Sequence, residues 1–139
     1  MKKLNNVKTK HPTVIGLSYD QLLDYQPEDP KHTILIRFNS NDPEIDKNLP
    51  YSQEILIQAD DIEEPINNCK LFSQSDAKKI LKEVNHYNTY NVVVECNAGV
   101  SRSGAVVKFL ENVYHYKNIT KHNFAPNQHI YDMLVKETK

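Results

Sequence analysis

Cysteine, arginine and long apolar runs are all scarce in this 139-residue chain. Its two cysteines, Cys69 and Cys96, cannot build a disulfide framework, so folding must rest on an apolar core, for which 39% hydrophobic residues suffice. No apolar stretch approaches the roughly 20 residues of a membrane-spanning helix. None follows Met1-Lys2-Lys3-Leu4 before His11, where a signal peptide would need one. A cytoplasmic protein is therefore expected, in a compartment that keeps thiols reduced. Excess charge of one sign is missing too, with 17 basic against 18 acidic side chains. That argues against a nucleic-acid footprint or attachment to an anionic membrane. The six histidines show no ligand spacing, so no metal is expected. Without repeats or low-complexity stretches, the chain reads as one domain over residues 12–139, a monomer, behind a flexible lysine-rich segment 1–11.

Strand and helix patterns alternate along that domain. Thr13 to Leu17 reads as a strand that hands over at Ser18, an N-cap residue, to a short helix through Leu22 and Leu23. Pro27-Glu28-Asp29-Pro30 ends it, and Thr33 to Phe38 is nearly all apolar, as a strand covered on both faces would be. A polar loop over 39–52 precedes a third strand, Glu54 to Ala59, which delivers Asp60 and Asp61 to its C-terminal end. Ser73 and Asp76 form a capping box for an amphipathic helix to about Tyr87. Asn91 to Glu95 is a fourth strand, Ser103 to Tyr116 has a helical rhythm, and Asn127 caps a last helix carrying Ile130, Met133 and Leu134. The expected fold is α/β, a mostly parallel sheet of four to five strands with helices on both faces. Ligands in such sheets bind beyond the carboxyl ends of the strands, where both Asp60-Asp61 and Cys96 lie.

The decisive stretch is Cys96-Asn97-Ala98-Gly99-Val100-Ser101-Arg102-Ser103-Gly104, on a strand-to-helix turn. Cysteine, five residues and arginine form a weak pattern alone. Its context sharpens it, because Gly99 suits a backbone that needs positive φ, and loop N–H groups at a helix N-terminus would converge on an anion. Only two of the 17 basic residues are arginines, Arg37 and Arg102, and one of them stands on this loop. A cation at a helix N-terminus opposes the dipole, a mismatch that a bound anion would resolve.

This loop resembles the signature loop of the cysteine-based protein tyrosine phosphatase superfamily, most closely its compact dual-specificity branch. The likeness spans most of the chain but is specific only around Cys96, and weaker at Asp61 and at Pro126-Asn127. It implies a metal-free phosphomonoesterase in which Cys96 is the nucleophile, Arg102 clamps phosphoryl oxygens and Ser103 supports the sulfur. Asn97, Ala98, Gly99, Val100 and Ser101, with Arg102, would bind the phosphate. The leaving oxygen needs a proton, for which Asp61 is the candidate and Asp60 the rival, since in an extended segment the two point opposite ways. The acid preceding the cysteine matches the dual-specificity order and is the reverse of the low-molecular-weight phosphatases.

Glu95 departs from the pattern, which has histidine before the cysteine; a carboxylate beside the thiol would oppose its ionisation unless it points away or is bonded. It motivates an alternative, a weak or inactive module that binds phosphate without turning it over. Uncharged loop side chains favour a phosphorylated protein, phosphotyrosine and then phosphoserine or phosphothreonine, or a small phosphomonoester. Nucleotide or RNA 5′-phosphates are a further alternative. A redox or sulfur-transfer enzyme on a similar loop would need a second thiol, and some relatives form a protective disulfide of the kind Cys69 and Cys96 would make.

Overall fold

A computed structural model of the protein describes residues 11–39 and 50–139. The segment expected to be flexible therefore lies outside the described residues except for His11, as does most of the polar loop. The described elements are β1 (Thr13–Leu17), α1 (Tyr19–Asp24), a 3-10 turn (Pro30–His32), β2 (Thr33–Phe38), β3 (Gln53–Ile57), α2 (Gln74–His86), β4 (Asn91–Glu95), α3 (Arg102–Val113), β5 (Lys117–Asn118) and α4 (Gln128–Glu137). The five strands form one parallel sheet in the order β3-β2-β4-β1-β5. β2 is buried at all six positions, as its nearly all-apolar run predicts, with the charged Arg37 among them.

Alternation along the strands sorts two cores. Val14, Ile34, Ile36, Phe38, Ile55, Ile57, Val92 and Val94 pack with the buried faces of α2, α3 and α4. The intervening Leu17, Leu35 and Val93 pack instead with Leu22 of α1. Helices thus cover both faces of the sheet. Ser73 closes the expected capping box with Asp76, Ser18 caps α1 as expected and forms a box with Gln21 as well, and Asn127 caps α4.

Two details differ from the sequence pattern. β3 leaves the sheet at Ile57 rather than Ala59, because Asn39 takes over its main chain: Asn39 N donates to Ile57 O at 2.7 Å, and Ala59 N donates to Asn39 Oδ1 at 2.7 Å. β5 is two residues long, too short for any periodicity to announce it.

The strand order places the site. β1 and β4 are neighbours, yet β1 connects through α1 to β2 on one side while β4 connects through α3 to β5 on the other. Connections leaving adjacent strands in opposite directions open a crevice at their carboxyl ends. Cys96 stands at that point, its N–H bonded to Leu17 O at 3.2 Å.

On the α1 face, Arg37 and Glu95 are paired in register and both buried, with Nε 3.1 Å from Oε1; Glu54 lies 3.6 Å from Arg37 Nη1. Removing one partner of a buried pair leaves a charge without compensation, at a cost of about 3–5 kcal/mol. Arg37→Leu is therefore expected to lower the urea midpoint sharply. Arg37→Leu with Glu95→Leu should recover only part of the loss, since two of the charges are replaced by an apolar pair while Glu54 keeps its carboxylate and loses the guanidinium.

Candidate active site

The loop from Cys96 to Arg102 is shaped by what its carbonyls bind. Asn97 O accepts from Tyr19 N at 3.2 Å, Gly99 O from His122 Nε2 at 2.7 Å, Val100 O from Ala125 N at 3.3 Å, and Ser101 O from Asn127 N at 3.0 Å. In a planar trans peptide the N–H of the next residue points opposite to the C=O. Anchoring those four carbonyls outward therefore turns the N–H groups of Ala98, Val100, Ser101 and Arg102 to the other side. Among the described residues, none of these four N–H groups has an acceptor. Four aligned, unspent donors make an anion cradle.

Gly99 makes the turn possible. Its φ is +72°, and a Cβ there would stand 2.4 Å from Ser18 N. No other residue type fits both constraints. The chain's two other glycines, Gly16 and Gly104, make room for the Phe124 side chain, which a Cβ would meet at 2.7 and 2.9 Å respectively. All three glycines of the sequence thus serve this one region.

α3 begins at Arg102 with Ser101 as N-cap, but the Ser101 side chain does not cap. Its hydroxyl donates instead to Asp61 Oδ1 at 2.8 Å, leaving the helix N-terminus open to another acceptor. Cys96 is buried, with Sγ 3.3 Å from Ser103 Oγ; the thiol donates in that bond, and in the thiolate the hydroxyl donates. Ser103 N donates to Sγ at 3.3 Å as well. Ser103 is fully buried, and its hydroxyl and N–H both lie beside the sulfur.

Arg102 donates from Nη1 to Ala59 O at 3.0 Å, while its buried Nε has no partner among the described residues. It makes no ion pair with a described carboxylate, so a helix-start salt bridge does not account for it. A carbonyl orients the guanidinium and leaves its charge for a ligand.

The two aspartates separate clearly. Asp60 accepts from Asn39 Nδ2 at 3.2 Å and Lys70 N at 2.7 Å, which ties it to the base of its own loop. Asp61 reaches the loop after Cys96, where Oδ1 accepts from Ser101 Oγ and, at 2.9 Å, from Asn127 Nδ2. Oδ2 of Asp61 has no hydrogen bond among the described residues, so one oxygen is fixed and the other is available. Asn127 is buried and joins three elements, since Nδ2 also donates to Ile62 O at 3.0 Å while Oδ1 accepts from Ile130 N at the start of α4. Its capping role was legible in the sequence, whereas its bond to Asp61, 66 positions away, was not.

Glu95 points away from the thiol, because strand alternation sends it to the α1 face with Arg37 while Cys96 joins the opposite core. The concern it raised is met by both conditions, direction and pairing. Both cysteines are free, Cys69 exposed and Cys96 buried. Among the described residues no group of three or more His, Cys, Asp or Glu could hold a metal ion, and no helix is long and apolar enough to cross a membrane. Sequence reasoning missed His122 and Asn39, whose side chains act through bonds to residues distant in the chain and carry no periodic signal. Compared with known protein families and with curated proteins, the chain matches none.

Proposed function

We propose that this chain is a cysteine-dependent phosphatase that hydrolyses phosphate monoesters through a cysteinyl-phosphate intermediate. The observation that carries the reading is the Cys96 sulfur at the open N-terminus of α3, with the Ser103 N–H and hydroxyl both 3.3 Å away. The four unspent loop N–H groups and Arg102 support it, since they offer the donors that three phosphoryl oxygens need.

In this reading the Cys96 thiolate attacks phosphorus, forming an S–P bond as the P–O bond to the leaving group breaks. Asp61 gives its proton to the departing oxygen. The Asp61 carboxylate then takes a proton from a water that attacks the phosphoenzyme, and the S–P bond breaks to release inorganic phosphate and thiolate. Ser103 donates its hydroxyl to the sulfur as the charge returns. Asn127 and Ser101 hold Asp61 against the loop throughout.

The substrate class is a phosphorylated protein side chain, phosphotyrosine first, taken up by a monomeric cytoplasmic enzyme without metal or cofactor. The uncharged side chains of Asn97, Ala98, Val100 and Ser101 favour a substrate with one phosphate over a polyanion.

The test is turnover of an aryl phosphate with chelator present, followed by rapid quench and mass spectrometry. The expected result is released phosphate and one phosphoryl group on Cys96. Phosphate binding with neither product nor phosphoenzyme would overturn the reading in favour of a binding module.

A further inference from the structure

The outward-facing side of the loop is held by one segment, residues 122–127 between β5 and α4, which takes the carbonyls of Gly99, Val100 and Ser101 in succession. Two of those bonds come from the main chain of Ala125 and Asn127 and depend little on residue identity. The third depends on a side chain: His122 Nε2 lies 2.7 Å from Gly99 O. A carbonyl only accepts, so Nε2 carries the proton.

Gly99 is the loop position with the least intrinsic restraint, being a glycine at positive φ. Its bond to His122 is the one hydrogen bond that Gly99 makes among the described residues. The imidazole is itself placed by Phe124, with ring centroids 5.1 Å apart at 72°, and Phe124 is keyed against Gly16 and Gly104. Sheet, helix and strap therefore fix the ring, and the ring fixes the peptide between Gly99 and Val100.

We infer that His122 is a positioning residue of the anion cradle, which sets the direction of the Val100 N–H and so the affinity of the loop for a tetrahedral oxyanion. The inference rests on the phosphatase reading for the identity of the anion. His122 touches no reacting atom; it acts through the Gly99–Val100 peptide.

Inorganic phosphate, titrated by calorimetry into wild type, His122→Ala, His122→Gln and His122→Asn, tests this. Glutamine places an amide nitrogen about where Nε2 lies, whereas asparagine ends a bond short, near Nδ1. His122→Ala is expected to raise the Kd for phosphate about five- to tenfold, as the loss of one orienting hydrogen bond implies. His122→Gln should return to within about twofold of wild type and His122→Asn should not. Unchanged affinity in His122→Ala, or equal behaviour of the two amides, would overturn the inference and leave His122 as packing alone, with only the melting temperature responding. Phosphate binding that follows this order without any phosphoenzyme would uphold His122 and sink the phosphatase reading. A wild type that binds no phosphate sinks both.

Discussion

Cys96→Ser is expected to lower aryl phosphate hydrolysis by about four orders of magnitude or more, while inorganic phosphate still binds within about threefold of wild type. A serine hydroxyl fits the buried space of the thiol but is not ionised at neutral pH, so the attacking group is lost. The groups proposed to hold the anion are main-chain N–H groups and Arg102, none of which the substitution touches. Initial rates with chelator present, paired with a calorimetric phosphate titration, separate the two effects. Loss of binding along with turnover would mean that the loop had collapsed. Retained turnover would remove the thiol from the mechanism.

Asp61→Asn carries the second large effect, an expected loss of about 10²- to 10⁴-fold on substrates whose leaving oxygen must be protonated. The replacement preserves the local geometry, because an amide oxygen still accepts from Ser101 Oγ and Asn127 Nδ2 as Oδ1 does. What it removes is the transferable proton at the second position. The loss should therefore grow as the leaving group becomes more basic, from a nitrophenyl to an alkyl phosphate, and rates across such a series provide the measurement. Asp60→Asn is the control. It weakens bonds from Asn39 Nδ2 and Lys70 N, so it should cost stability, of the order of 1–3 kcal/mol, without changing the leaving-group slope. A slope that moved with Asp60 and not Asp61 would reverse the assignment.

The contrast between these two neighbours explains how far the sequence could be read. Adjacent carboxylates on an extended segment differ in direction, and which direction faces the Cys96–Arg102 loop is set by Asn39 and Asn127, 21 and 66 positions from the aspartates they bind. Glu95 is a similar case. Its position before the cysteine was plain, but its neutralisation depends on Arg37 of β2 lying in register with it, 58 positions away. β5 escaped notice because two residues contain no period, and β3 ended early because a side chain displaced its ladder.

Local interactions explain what the sequence determined by itself. The caps at Ser18, Ser73 and Asn127 and the apolar runs of β2 and β4 are written in neighbouring residues, so they are legible wherever the chain is read. The candidate chemistry came from the resemblance that the stretch Cys96 to Gly104 carries. The tertiary structure decided the rest: that β4 lies between β1 and β2, that the strap 122–127 takes the loop carbonyls, that Asp61 rather than Asp60 meets Ser101, and that Glu95 is turned to the far face. Each of those depends on a bond between segments far apart in the chain, whose partners are chosen by packing of the whole domain and leave no periodic trace in the order of residues.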